Sequence, residues 1–179
     1  MKLKEITKSK ETVYEGSVIT VERHIATLEN GKDAVRDVVL HPGGVGVVAM
    51  DDEGFVYMVR QFRYPFYETT LEIPAGKLDK GGEDTREAGI RELREETGLT
   101  AESIEYLGSF YATPGFCDEK LAIYFATGLN QGETNPDEDE FIECEKYHIT
   151  ELVEMIDKGE IKDAKTVIGI LMVSNRVNN

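Results

Sequence analysis

The stretch Ala75-Gly-Lys-Leu-Asp-Lys-Gly-Gly-Glu-Asp-Thr-Arg-Glu-Ala-Gly-Ile-Arg-Glu-Leu-Arg-Glu-Glu-Thr-Gly-Leu99 decides the fold. Its first part, Gly76 to Gly82, is rich in turn formers. Its second part repeats Ile90, Leu93 and Thr97 at helical spacing and stops at Gly98, a natural left-handed terminator. The pattern predicts a loop that runs into a helix. At about 100° per residue, Glu92, Glu95 and Glu96 fall on one face, roughly opposite Ile90, Leu93 and Thr97. Ala88 and Gly89 stand one turn earlier beside the acidic face, and their small size leaves room for something bulky, with a cofactor as the expected occupant.

Such an arrangement is unfavourable unless it is used. Like charges three or four residues apart destabilise a helix by about 0.2–0.5 kcal/mol per pair, and carboxylates in the last turns oppose the helix dipole. Divalent cations remove both penalties. Hard cations such as Mg²⁺ prefer carboxylate oxygens, keep several waters and share their coordination with substrate phosphates. The competing reading is a solvated acidic face in which Arg91 and Arg94 act as intrahelical partners.

Arg91-Glu-Leu-Arg-Glu-Glu-Thr-Gly-Leu99, preceded by Glu83 and Gly76, resembles the Nudix box, G-x5-E-x7-R-E-U-x-E-E-x-G-U with U aliphatic. Every fixed residue is present. The one departure is that six residues, Lys77 to Gly82, separate Gly76 from Glu83 where the family has five; the extra residue falls in the Lys80-Gly81-Gly82 turn, where insertions are best tolerated. The resemblance implies that Glu92, Glu95 and Glu96 face metal, with Glu95 and Glu96 also catalytic. It makes Glu83 and Arg91 a supporting ion pair, with Gly76 and Gly98 as structural residues of the box. Its implied cofactor is Mg²⁺, with Mn²⁺ as an alternative.

The whole chain has 179 residues and 40% hydrophobic content, enough for one domain or one domain with a small appendage. No apolar run approaches the ~18 residues of a membrane span, and Met1-Lys-Leu-Lys-Glu lacks a signal-like apolar segment, so a cytoplasmic location is expected. A formal net charge of −15 disfavours nucleic acid and anionic membrane as partners. It would also repel a free diphosphate, so a phosphorylated substrate needs local cations or bridging metal. Cys117 and Cys144 are too few for a disulfide framework and read as free thiols. His24, His41 and His148 are isolated from any triad or metal cluster and receive no catalytic role.

Residues 12 to 28 read as strand interrupted at Gly16, Glu29-Asn-Gly-Lys32 as a hairpin-type turn, and Ala34 to Leu40 as the returning strand. This small antiparallel sheet is marginal alone and must pack on the main domain or on a partner subunit. His41-Pro-Gly-Gly44 marks the boundary, giving an N-terminal β subdomain at 1–42 and the main domain at 43–179. Val45 to Met50 is a buried-type strand, and Phe55 to Val59 pairs with it across the turn 51–54. Arg60 to Pro65 is expected to close that hairpin, and Arg63, close before the acidic loop, suits bidentate phosphate contact. Tyr64, Phe66 and Tyr67 are expected to pack.

Strands are expected at 71–74, 104–111, 121–128 and 141–147. Two closing helices follow, at 150–158 and 163–174, the second buried along Val167, Ile170, Leu171 and Val173. Strands on either side of one helix, then helices at the end, give an α/β sandwich around a mixed sheet. That agrees with the α/β/α Nudix-type fold, carrying a small N-terminal antiparallel sheet, which the resemblance implies.

The flanking segments Arg60-Gln-Phe-Arg-Tyr-Pro65, Glu72-Ile-Pro-Ala-Gly-Lys-Leu78 and Pro114-Gly115 are similar to the ADP-ribose pyrophosphatase branch. Members of that branch exchange the N-terminal sheet between subunits of a homodimer. The resemblance implies a metal contact from the Ala75 carbonyl and diphosphate contact from Arg63. Substrate contact from the second subunit falls to Arg36 and Asp37, where Asp replaces a longer Glu. Within the acidic segment 137–140 it assigns Glu138 as the base and Glu140 as a metal neighbour. The implied reaction is Mg²⁺-assisted hydrolysis of a nucleotide sugar, ADP-ribose giving AMP and ribose 5-phosphate. Other nucleotide sugars, dinucleoside polyphosphates and nucleoside triphosphates are alternative substrates, and a non-catalytic nucleotide-sensing module is the alternative of another class.

Overall fold

The computed structural model describes residues 3–78, 82–132 and 141–177. The chain divides into two compact units, one formed by Met1–Gly43 with Tyr111–Lys120, the other by Gly44–Phe110 with Leu121–Asn179.

The first unit is built on an antiparallel sheet of three strands in the order β1 (Ile6–Glu15), β2 (Thr20–Thr27) and β3 (Asp33–Leu40). The expected single interrupted strand is thus two. The chain reverses at Gly16, whose N–H donates to the Ile19 carbonyl at 2.9 Å. Gly31, in the left-handed region at φ 78°, closes the second hairpin. Residues 111–120 dock on β3: the Val39 N–H donates to the Phe116 carbonyl at 2.7 Å, and the Asp118 N–H to the Val39 carbonyl at 3.0 Å. Exposed Ile6, Val13, Tyr14 and Val35 leave this unit with apolar surface.

The second unit holds a mixed sheet in the order β10 (Glu143–His148), β5 (Phe55–Arg63), β4 (Gly44–Met50), β9 (Lys120–Gln131), β8 (Leu99–Tyr111). Two short strands extend it: β6 (Glu68–Glu72) pairs with β5, and β7 (Ala75–Lys77) pairs with β4. Strands β4 and β9 are parallel, and β4 is buried nearly throughout because both its faces are covered. Alternation sorts the side chains. Val45, Val47 and Ala49 of β4, with Ala122, Tyr124 and Ala126 of β9, cluster with Ala88 and Leu93 of α1 (Thr85–Thr97). On the other face Val48 and Ile123 cluster with Ile149 and Leu152 of α2 (Ile149–Asp157) and with Ile170 and Val173 of α3 (Ala164–Val177). This is an α/β/α sandwich.

Several expectations are corrected. Tyr64, Phe66 and Tyr67 do not pack; they are 70%, 74% and 70% exposed in the turn between β5 and β6. Leu171 is also exposed, because the buried stripe of α3 runs through Thr166, Gly169, Ile170 and Val173 at helical spacing and leaves Leu171 outside it. Arg60 to Arg63 do not close a hairpin but continue β5, which pairs there with β6 and β10. Cys117 and Cys144 are free thiols, as expected. No helix among the described residues is long and apolar enough to cross a membrane.

Candidate active site

Helix α1 begins where the Asp84 carboxylate accepts from the N–H groups of Arg86 at 2.9 Å and Glu87 at 3.2 Å. It ends where Gly98, at φ 73°, donates its N–H to the Arg94 carbonyl. Its buried positions are Ala88, Gly89, Glu92, Leu93, Glu96 and Thr97. The acids therefore sit beside the apolar stripe, not opposite it. Ala88 and Gly89 do not make room for a cofactor either. A Cβ added at Gly89 would stand 3.2 Å from Val45 and 3.3 Å from Val47, so this side of the helix packs on the sheet.

Strand β7 explains why two glutamates are buried. Its pairing to β4, with Gly46 opposite Ala75 and Val45 opposite Gly76, lays its backbone against α1. The Ala75 N–H donates to Glu96 Oε2 at 2.9 Å. At Gly76 the fit is closest, since an added Cβ would stand 2.0 Å from Glu92 Oε1. Gly76 is thus required for the space its missing side chain leaves to a carboxylate. Part of the expected loop is strand for the same reason. The inserted turn residues Lys80 and Gly81 lie outside the described residues.

Arg91 links the acids. Its Nε and Nη2 donate to the two Glu83 oxygens at 3.2 Å each, and its Nη1 to Glu92 Oε1 at 2.8 Å and Glu95 Oε2 at 2.9 Å. The Glu83 hydrogen bonds and the charge of Glu92 raise the Arg91 pKa further, so it stays cationic. Among the described residues Arg94 donates no side-chain bond of this kind, and Arg91 serves the acidic cluster there.

Among the described residues no three Asp, Glu, His or Cys side chains are gathered to hold a metal ion. The Arg91 guanidinium stands between Glu92 and Glu95 and supplies positive charge there. The donor set nevertheless fits a hard divalent cation. Glu83, Glu92, Glu95 and Glu96 offer carboxylate oxygen only, and the β7 backbone lies alongside. Ala75, Glu92, Glu95 and Glu96 are the residues that would hold such an ion.

Arg63, at the end of β5, donates Nε to Glu72 Oε1 at 2.7 Å and Nη2 to Glu72 Oε2 at 2.6 Å. The Glu72 bonds raise its pKa, and the charges of Asp163 and Glu96 act on it too, which puts the guanidinium within electrostatic reach of the acidic helix. Arg36 and Asp37 belong to the first unit and bond away from each other: Arg36 to Glu5 at 2.7 and 3.0 Å, Asp37 to Arg23 at 3.3 Å. Adjacent strand residues point to opposite faces, so a single face cannot carry both. Glu138 and Glu140 lie outside the described residues.

Sequence reasoning missed the role of Glu72 and overlooked Lys165 and Asp163. Burial alone would push the Glu72 carboxyl up, but the Arg63 hydrogen bonds, the Lys165 charge and hydrogen bond, and Thr70 bring it from the ordinary 4.5 down to about 2. A carboxylate with a depressed pKa in the folded state contributes stability that is complete above about pH 4.5 and is lost as pH falls towards 2. The interval corresponds to roughly 3 kcal/mol. Urea unfolding across pH 5 to 2 should therefore show a steep loss of stability that flattens in Glu72→Gln; equal slopes would contradict the assignment. The signal available in sequence was a charged residue between Leu71 and Ile73.

The profile described as NUDIX domain matches residues 40–168. The ADP-ribose pyrophosphatase of Bacillus subtilis (strain 168) is 41% identical over 170 residues, covering 94% of this chain and 91% of that protein. The methanol dehydrogenase activator of Bacillus methanolicus is 41% identical over 168 residues, with 93% and 90% covered. The crystal structure of an ADP compounds hydrolase superposes with a TM-score of 0.87 at 23% identity, covering 98% of this chain and 95% of that one, a likeness of fold.

Proposed function

Because this chain belongs to the NUDIX family and is a pyrophosphohydrolase, we propose that it hydrolyses ADP-ribose to AMP and ribose 5-phosphate with Mg²⁺, Mn²⁺ being the alternative ion. The observation that carries the reading is the seating of Glu92 and Glu96 against β7, with Arg63 in electrostatic reach of Glu96. The 41% identity to an ADP-ribose pyrophosphatase over nearly the whole chain supports the substrate.

Nudix hydrolases generally use divalent metal ions. Glu92, Glu95, Glu96 and the Ala75 carbonyl would hold the ion, with Glu140 proposed as a further ligand, and when bound it would supply neutralisation of diphosphate charge and a more acidic water. Arg63 binds the diphosphate through its guanidinium. Glu138 accepts the proton of the attacking water as its oxygen bonds to one phosphorus and the bond from that phosphorus to the bridging oxygen breaks. Glu83, with Gly76 and Gly98, keeps Arg91 and the acidic helix in place. The protein acts as a cytoplasmic homodimer whose N-terminal subdomain, 1–42, is exchanged, so that β3 brings Arg36 and Asp37, one from each of its faces, to substrate in the partner's main domain, 43–179.

Catalytic efficiencies for ADP-ribose, GDP-mannose, a dinucleoside tetraphosphate and a nucleoside triphosphate, measured side by side with Mg²⁺, should rank ADP-ribose first by at least about tenfold. Another compound in first place would overturn the substrate assignment. A second reading rests on the relative of equal identity: the chain stimulates methanol dehydrogenase. A dehydrogenase rate unchanged on adding this protein and its Mg²⁺ would remove it.

A further inference from the structure

We propose that Glu72 and Lys165 are positioning residues that hold the Arg63 guanidinium in one orientation toward the diphosphate, an inference that rests on Arg63 being a substrate ligand. Arg63 ends a strand, and its side chain is 39% exposed. A side chain of this length, left alone, would sample many rotamers and lose that freedom on binding. Here it is fixed before substrate arrives. The side-on pairing uses Nε and Nη2, and among the described residues Nη1 makes no hydrogen bond, so the outer edge of the fork is presented to an anion.

The carboxylate that fixes it is itself fixed. Glu72 is 2% exposed, and its oxygens also accept from Thr70 Oγ1 at 2.6 Å and from Lys165 Nζ. Lys165 comes from the first turn of α3 and is bonded a second time, to Asp163 Oδ2 at 3.0 Å. That turn is anchored in turn: Asp163 Oδ2 accepts from the Thr166 N–H at 3.0 Å and its hydroxyl at 2.6 Å, and the Thr166 hydroxyl accepts from the Ile73 N–H at 3.0 Å. Lys165, Glu72 and Arg63 therefore form a chain of donors and acceptors from α3, through the end of β6, to the fork at the end of β5.

The gain from keeping Glu72 ionised is set against burying it, and replacing buried ion pairs by well-packed apolar residues is often neutral, so net stability does not account for these charges. Orientation accounts for them better. Glu72 alone would orient Arg63 but cancel its charge toward an anion. Lys165 Nζ shares that carboxylate and is itself shared with Asp163, so the four charges balance and what the network supplies is aim, with the outer edge of the fork left to donate.

The test uses the full-length protein, Mg²⁺ and ADP-ribose. Arg63→Ala is expected to raise KM about 30-fold, and Lys165→Met about tenfold with kcat within about threefold of wild type. Lys165→Arg should recover most of the loss. In the Arg63→Ala background Lys165→Met should have no further effect on KM, because it acts through the absent guanidinium. In the free protein, the Arg63 Nε–H resonance should be sharp in the wild type and exchange-broadened in Lys165→Met. Should Lys165→Met not fold, Glu72→Gln carries the same expectations. An unchanged KM in Lys165→Met, or an equal rise in both backgrounds, overturns the inference. An unchanged KM in Arg63→Ala removes Arg63 as a substrate ligand and the inference with it.

Discussion

Glu96→Gln is expected to lower kcat for ADP-ribose by about 10³-fold while leaving the fold and its thermal midpoint nearly unchanged. The two effects separate because of how Glu96 is held. It is 4% exposed, and one of its oxygens accepts the Ala75 N–H at 2.9 Å. A glutamine amide oxygen of the same size can keep that bond, so the substitution removes charge and not packing. Charge is what a divalent ion needs from this position, and its effect on turnover should exceed its effect on KM. Steady-state kinetics with thermal unfolding as control checks this. Full Mg²⁺-dependent turnover in Glu96→Gln would show that the acidic helix is not the catalytic element.

Gly76→Ala should be nearly as damaging through a single methyl group. The added Cβ would lie 2.0 Å from Glu92 Oε1 and 2.1 Å from its carboxyl carbon, far inside contact distance. Either β7 shifts off its pairing with β4 or Glu92 leaves its place. Overpacking of this kind destabilises by about 1–3 kcal/mol. A displacement of about 1 Å in a catalytic group can cost about 10²-fold in rate. We therefore expect turnover to fall by about that factor, with a lowered unfolding midpoint. Wild-type activity in Gly76→Ala would mean that Glu92 has no fixed place in catalysis.

The existence of α1 and its C-terminal end were legible because they rest on local chemistry: helical spacing from Ile90 to Thr97 and a left-handed glycine at 98. The buried character of β4 was legible too, since a continuous apolar run has only one economical placement in such a sandwich. The surroundings of α1 were not. A two-sided helical wheel assumes one buried face, whereas α1 is covered by β4 and β9 on one side and by β7 on the adjacent side, so Glu92 and Glu96 are buried next to Leu93 and Thr97. Lys165 was hidden for a different reason. Its partner Glu72 lies 93 residues away, and no periodicity links a strand carboxylate to an ammonium in a later helix. Tyr64, Phe66 and Tyr67 misled because aromatic side chains predict burial on average, while the turn between β5 and β6 holds them outward.

The central claim is that this chain cleaves the diphosphate of ADP-ribose at the acidic helix. ³¹P NMR of ADP-ribose incubated with the pure protein and Mg²⁺, run beside Glu96→Gln, tests it most directly. The account predicts replacement of the diphosphate signals by equimolar AMP and ribose 5-phosphate in the wild type, and their near absence in the variant. Intact ADP-ribose with the wild type, or equal product from both proteins, would contradict it.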